Sequence, residues 1–320
     1  MKIENVMYLP SGRIFLTRTK DDYLIESTEM RDVTIDGKLH EEVRNTQDPH
    51  VIWKHLVPYE NKWLLTVSTQ KGCVHNCKFC DVAKLPFLGN LEAKEIEDQI
   101  VNLLISTPYV KKCLKAKIGF ARMGEPAWNL TNVLDVMGRL PDISRSLGRD
   151  FTWLPCFNTI LPRQADCIDQ VLEMKEAIYN GFLHFQISCN STDENMRKDL
   201  FGGADVLTIE EVIGRINRSK ITNRTVTLNF IVMEGVEVSV EKLRAIGLNR
   251  EKFSVKLIPL NATLNAQEHD LKTYANYSNY DKLLNLKKEF NEAGIPVVVD
   301  AIAKCEEAGL CCGQLAQIFQ

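Results

Sequence analysis

The chain has 320 residues, 45% of them hydrophobic and 25% charged, with a formal net charge of −3. This is ordinary globular composition with ample material for a core, and it excludes the dense basic surface that grips a polyanion non-specifically. No apolar run reaches the length of a membrane span, Met1-Lys2-Ile3-Glu4-Asn5-Val6 has no apolar stretch of signal-peptide type, and ten cysteines without an export signal read as reduced thiols and ligands in a cytoplasmic protein with no membrane partner.

The first residues alternate short β-like runs with turns. Val6–Leu9, Gly12–Thr19, Tyr23–Glu26 and Asp32–Ile35 read as strands, with turns at Ser11-Gly12, Lys20–Asp22 and Asp36-Gly37. Residues 1–52 are therefore expected to form a small β-rich N-terminal extension, serving either as a cap or in substrate recognition.

From Trp63 onward the pattern changes to strand followed by helix. Trp63–Thr69 reads as a strand, and Ala93–Ser106 carries Ile96, Ile100, Leu103 and Leu104 at helical spacing. Ala116–Met123 (strand), Leu130–Leu140 (helix), Phe151–Phe157 (strand), Ala165–Ala177 (helix) and Phe182–Cys189 (strand) follow. Then come Ile209–Asn217 (helix), Thr225–Val232 (strand), Val240–Gly247 (helix), Phe253–Leu260 (strand), Tyr280–Ala293 (helix) and Ile295–Ile302 (strand). Repeated β-then-α predicts an α/β fold with a parallel sheet and helices on its outer face. Residues 53–320 are expected to form a partial (βα)6 barrel, with its chemistry at the C-terminal ends of the strands. Two local basic clusters, Lys111/Lys112/Lys115/Lys117 and Arg215/Arg218/Lys220/Arg224, read as solvated surface.

The run Gly72-Cys73-Val74-His75-Asn76-Cys77-Lys78-Phe79-Cys80 follows the first core strand. Its Cys-x3-Cys-x2-Cys spacing puts Cys73, Cys77 and Cys80 on one tight loop. Three thiolates can hold three irons of a [4Fe–4S] cluster and leave the fourth open for the amine and carboxylate of S-adenosylmethionine (SAM). Structural zinc sites usually take four protein ligands, ordinary ferredoxin clusters four cysteines, and the next cysteine is only Cys113. A zinc loop or three buried thiols is the competing reading. The spacing, with an aromatic residue before the last cysteine, resembles the radical-SAM signature.

A second feature, Arg122-Met123-Gly124-Glu125-Pro126, places a carboxylate on a turn where it can accept hydrogen bonds from an amine. Together with Ser188-Cys189-Asn190, Lys256-Leu257-Ile258-Pro259-Leu260-Asn261 and Cys312-Gly313-Gln314-Leu315, these motifs occur in an order and spacing that resemble the RlmN/Cfr family of radical-SAM RNA adenosine methyltransferases. The similarity runs from about Trp53 to the C-terminus, and Cys-Gly-Gln-Leu is its most specific part.

The resemblance implies several roles. Gly124, Glu125, Cys156, Ser188, Asn190 and Asn261 fall on SAM-contacting positions, with Cys156 where the family usually has Ser and Asn190 where it often has His. Cys312 falls on the methyl-carrying cysteine. In the implied chemistry one SAM methylates the thiolate by direct displacement. A second SAM is cleaved reductively, and the resulting 5′-deoxyadenosyl radical activates the S-methyl group for addition to an adenine ring carbon. The substrate implied is RNA, or another nucleic acid or nucleotide; an electron donor of the flavodoxin or ferredoxin kind and a monomeric state are also expected. The alternative is a radical-SAM enzyme with a different acceptor or outcome, acting on a nucleotide, a modified base or a peptide.

Two family positions are lost. The cysteine that resolves the covalent adduct, seven residues before Cys73, is Thr66 here, and a family Glu falls on Trp53. Cys311 and Cys305 are candidates to replace the missing thiol by proximity in sequence alone.

Overall fold

The computed structural model describes residues 1–32, 34–35, 38–39, 49–273, 281–299 and 311–319. Two compact units divide the chain. The first comprises Met1–Val74, Asp81–Phe157 and Ala303–Gln320, the second His75–Cys80 and Asn158–Ile302.

The first unit is built on a mixed sheet. Strands β1 (Lys2–Leu9), β2 (Gly12–Arg18) and β3 (Leu24–Arg31) form an antiparallel meander. β3 then pairs antiparallel with β4 (Trp63–Thr66), so the N-terminal strands extend the sheet of the core rather than stand apart from it. β4 runs parallel to β5 (Lys112–Gly119), and β5 parallel to β6 (Asp150–Thr159). The turn predicted at Asp36-Gly37 lies outside the described residues.

Helix α1 is the short segment Pro49–Lys54. Helix α2 (Ala93–Ile105) begins at a reciprocal cap between Glu92 and Glu95 and buries Ile96, Ile100, Leu103 and Leu104, the four residues the periodicity marks. Helix α3 (Leu130–Ser146) runs six residues past its expected end. Pro141 removes a backbone donor and suggests a stop, but Ile143 and Ser144 are buried beyond it and their packing carries the helix on. The second strand also differs from its reading, since it starts at Lys112. Cys113, Ala116 and Ile118 are buried, with a register shift between Cys113 and Ala116, so a lysine-rich segment lies in the sheet with Lys112 and Lys115 exposed.

The second unit is a parallel sheet of β7 (His184–Ser188), β8 (Val226–Val232), β9 (Phe253–Pro259) and β10 (Val297–Val299). Helices α4 (Ile168–Glu173), α5 (Glu194–Leu200), α6 (Ile209–Arg218), α7 (Val240–Ala245), α8 (Leu264–Glu268) and α9 (Asp281–Glu292) alternate with these strands. The odd-numbered residues of β9 are buried, as is the set Val226, Leu228 and Phe230 of β8; these form the apolar layer. The opposite face carries polar groups. The fold is thus mixed α/β, with parallel βα repeats and a β-rich N-terminal region. Among the described residues no helix is long and apolar enough to cross a membrane.

Candidate functional site

In the second unit, residues 75–80 of the cysteine loop are tied down at several points. The Lys78 backbone N–H donates to the Leu200 carbonyl at 2.9 Å, and Lys78 Nζ pairs with Asp199 at 2.6 Å. Asn265 Nδ2 donates to the carbonyls of Cys77 (2.9 Å) and Cys80 (3.2 Å), and Thr263 Oγ1 donates to the Phe79 carbonyl at 3.1 Å. The Phe79 ring packs against Phe201 and beside Leu200, Met233 and Leu260. Gly202, at φ +65°, lets the loop approach closely, because a Cβ there would lie 2.3 Å from the Asn76 carbonyl oxygen. Carbonyls that would otherwise be unsatisfied are thus held by two side chains that follow the C-terminal end of β9.

The same unit assembles a polar row across its strands. Ser188 on β7 is in register with Asn229 on β8, and Asn229 with Lys256 on β9. In-register neighbours share a face, so these three side chains stand side by side. Below them His184, Thr227 and Ser254 are linked by hydrogen bonds of 3.0 and 3.1 Å. Asn190, two residues beyond β7, is in the left-handed region, φ +60°. Its Oδ1 accepts from the Ile231 N–H at 3.1 Å. Asn190 Nδ2 and Asn229 Oδ1 are buried and have no hydrogen-bond partner among the described residues. An orphaned buried donor or acceptor costs about 1–3 kcal/mol, and such atoms on a strand-end face suit a polar ligand. Asn261 is exposed, two residues beyond β9. Cys189, between Ser188 and Asn190, is different: burial pushes its thiol up to about 12, which keeps it neutral and unreactive.

The first unit holds the other expected residues, also at strand ends. After β5 the chain turns through Gly124, at φ +98°, where a Cβ would come within 2.6 Å of the Gln70 side chain. Gln70 Oε1 accepts from the Glu125 N–H at 2.9 Å, and Glu125 Oε1 accepts from the Ala127 N–H at 3.0 Å. Glu125 is buried and its carboxylate is aimed by this turn. Thr66, Gly119 and Cys156 form one row across β4, β5 and β6. The Thr66 hydroxyl is hydrogen-bonded to that of Thr28 on β3. Cys73 is half-buried in this unit.

Cys312 is also half-buried, in the turn before helix α10 (Gln314–Phe319). Cys311–Gly313 form a tethered turn. Arg122 Nη1 donates to Cys312 Sγ at 3.6 Å, and Nη2 to the Cys311 carbonyl at 3.3 Å. Arg122 pairs with Glu26 at 2.6 Å, and Glu26 accepts the N–H groups of Gly313 (3.0 Å) and Ala316 (2.9 Å). Burial works against the guanidinium charge, but Glu26 and the two cysteine sulfurs more than offset it, so the Arg122 pKa stands above its ordinary value. Cys305 lies outside the described residues.

The nine described cysteines stand outside any disulfide. Among the described residues no three His, Cys, Asp or Glu side chains are gathered at metal-binding spacing. The donor set of the cysteine loop nevertheless suits an iron–sulfur cluster, and the orphaned asparagine atoms suit SAM. Sequence reasoning missed Glu26, Gln70, Arg122 as a partner of Cys312, Asn229, Asn265 and Thr263. Asn229 and Asn265 carried one legible signal: each is a polar residue in or beside an apolar strand or loop that has no need of one.

No protein-family model matches the chain. It is 29% identical over 202 residues to a probable dual-specificity RNA methyltransferase RlmN of Chlorobaculum tepidum, covering 62% of this chain and 51% of that protein. Over 210 residues it is 30% identical to the dual-specificity RNA methyltransferase RlmN of Desulfosudis oleivorans, covering 64% and 53%. The chain is thus similar in sequence to RlmN RNA methyltransferases. The RlmN resemblance read from the motifs is therefore borne out. The chain spans about half the length of these RlmN relatives. Among solved structures, a radical SAM methyltransferase from Sphaerobacter thermophilus shares the fold, with a TM-score of 0.71, 21% identity, and coverage of 98% of this chain and 80% of that one.

Proposed function

We propose that the chain is a radical-SAM methyltransferase that methylates an adenine ring carbon of RNA through a methylated Cys312. Its core, residues 53–320, is read as a partial (βα)6 barrel, and residues 1–52 as a small β-rich N-terminal extension. Cys73, Cys77 and Cys80 would hold a [4Fe–4S] cluster, while Gly124, Glu125, Cys156, Ser188, Asn190 and Asn261 would contact SAM. When bound, the cluster and SAM supply reductive cleavage and the methyl group.

The chain's own residues bind and orient. Asn265 and Thr263 fix the carbonyls of the cysteine loop. Glu125 offers a carboxylate to a ligand amine, and Ser188 with Asn190 offers hydroxyl and amide to ligand oxygens. Cys312 offers the nucleophilic sulfur. An external electron donor of the flavodoxin or ferredoxin kind, a cytoplasmic setting and a monomeric state complete this reading.

The observation that carries it is the joint presence of the cysteine loop and a Cys312 whose sulfur is hydrogen-bonded by a buried arginine. Anaerobic reconstitution is expected to give about four iron and four sulfide per chain, with 5′-deoxyadenosine formed on reduction with SAM. Purified cluster-loaded protein is expected to carry one extra methylene mass on Cys312. Stoichiometric zinc without iron uptake would sink the proposal.

A second reading is favoured by one observation, Thr66 with its hydroxyl bonded to Thr28. A hydroxyl cannot form the disulfide that releases product, so the acceptor can differ from the family's adenosine. A cluster-loaded, SAM-cleaving protein with no methyl on Cys312 would favour it.

A further inference from the structure

The Glu26–Arg122 pair is almost wholly buried, at 0% and 8% exposure. Such a pair rarely contributes net stability, because desolvating both charges costs as much as their attraction returns. A core that needed only to pack would do as well with two apolar side chains. What this pair touches is therefore informative. The guanidinium reaches Cys312 Sγ and the Cys311 carbonyl, and the carboxylate caps the backbone of Gly313 and Ala316. Every hydrogen bond described for the Glu26 carboxylate beyond Arg122 goes to the segment that carries Cys312, 286 positions further along the chain.

We infer that Glu26 and Arg122 are positioning residues for Cys312, the carboxylate fixing the turn and the guanidinium fixing the sulfur and the negative charge it bears as a nucleophile. This rests on the reading of Cys312 as the methyl acceptor. In that step the half-buried Cys312 thiol first gives its proton to solvent, and the thiolate attacks the sulfonium methyl of SAM. The new S–CH3 bond forms as the sulfonium S–CH3 bond breaks, and the electron pair of the broken bond leaves on S-adenosylhomocysteine; no oxidant or reductant is needed. A fixed cation beside an anionic sulfur orients it before attack. Once methylated, the sulfur is a neutral thioether and a weak acceptor, so the Arg122 contact loosens and the S-methyl group gains freedom to reach the next reaction partner. The N-terminal meander thereby takes part in the reaction through Glu26.

The test is the alkylation rate of Cys312 in the full chain by iodoacetate, which is anionic, and iodoacetamide, which is neutral, resolved by peptide mass spectrometry. Arg122→Met is expected to lower the iodoacetate-to-iodoacetamide ratio at Cys312 about five-fold, the scale of one nearby charge. Arg122→Lys is expected to restore most of it, and Glu26→Gln to lower it less. In methyl transfer onto Cys312, Arg122→Met is expected to reduce kcat with KM for SAM unchanged. An unchanged ratio in Arg122→Met, with wild-type Cys312 methylated, overturns the positioning role alone. If Arg122→Met does not fold, an Arg122→Lys ratio below half the wild-type value overturns it as well. Absence of the methyl mark in cluster-loaded wild type overturns the acceptor reading, and this inference with it.

Discussion

Ser188 and Asn229 stand opposite each other on adjacent parallel strands, and only Ser188 was legible as a ligand group. Asn229 Oδ1 is buried beside it with no hydrogen-bond partner among the described residues. A group kept in that condition costs stability unless something binds it. Asn229→Leu is therefore expected to leave thermal stability unchanged or raised while weakening SAM binding about three- to ten-fold, the worth of one hydrogen bond. Calorimetric titration of SAM alongside a melt checks both signs. A variant that is destabilised yet binds SAM normally would show that Asn229 is structural.

Asn265 fixes the carbonyls of two cysteines that the proposal makes cluster ligands. Outer-shell partners of this kind are typically worth about 10–100-fold in metal affinity. Asn265→Ala is expected to fold with an unchanged circular dichroism spectrum and lose its iron to a chelator at least several-fold faster than wild type. Equal rates would remove Asn265 from the site.

Gly124 shapes the turn that aims Glu125. At φ +98°, any side chain is strained, and a Cβ would collide with Gln70, whose amide oxygen holds the Glu125 N–H. Gly124→Ala is expected to cost on the order of 1–3 kcal/mol in a denaturant melt and to impair SAM binding. Gln70→Ala keeps the obstructing Cβ and backbone nitrogen and removes the hydrogen bond, so it is not expected to rescue it.

Acid stability has a local contributor in the second unit. The Arg163 guanidinium, helped by the Thr208 backbone N–H and hydroxyl, holds the Glu211 carboxyl down at about 2. Its folded-state pKa lies below the unfolded value, so the native state binds fewer protons. The contribution is present above the ordinary carboxyl pKa of about 4.3 and is lost as pH falls toward 2. Both side chains are about 40% exposed, so the effect is small and salt-sensitive. Glu211→Gln is expected to melt slightly lower than wild type near neutral pH and to converge with it in acid. A Glu211 midpoint near the ordinary value in an NMR titration would refute the ion pair.

Thr66 bears on turnover. With no thiol in the family's resolving position, the proposed reaction is expected to leave product attached to Cys312 unless another thiol intervenes. Intact-mass measurement after a single turnover on a short RNA, with and without added thiol, would detect it. Free product and no adduct in the Cys305→Ala, Cys311→Ala double variant would show that neither of these residues resolves it.

The sequence by itself determined the order of the core strands and the longer helices from Trp63 onward, because buried faces impose period 3.6 on α2 and α6 and period 2 on β9. It also supplied the residues of the proposed chemistry, since three thiols within eight residues and a Cys-Gly-Gln-Leu run are local patterns. It did not show the short helices α5, α8 and α10, whose five to seven residues carry too few periods and which start from Asp193, Thr263 and the Cys311–Gly313 turn. Nor did it show that Pro141 lies inside a helix, where buried neighbours outweigh a lost hydrogen bond. What only tertiary structure decided is which distant residues meet. Strand register sets Asn229 beside Ser188, the close of β9 brings Asn265 under Cys77 and Cys80, and the meander delivers Glu26 to Arg122 and Cys312. These relations depend on pairing between residues up to 290 positions apart, and no local propensity encodes them.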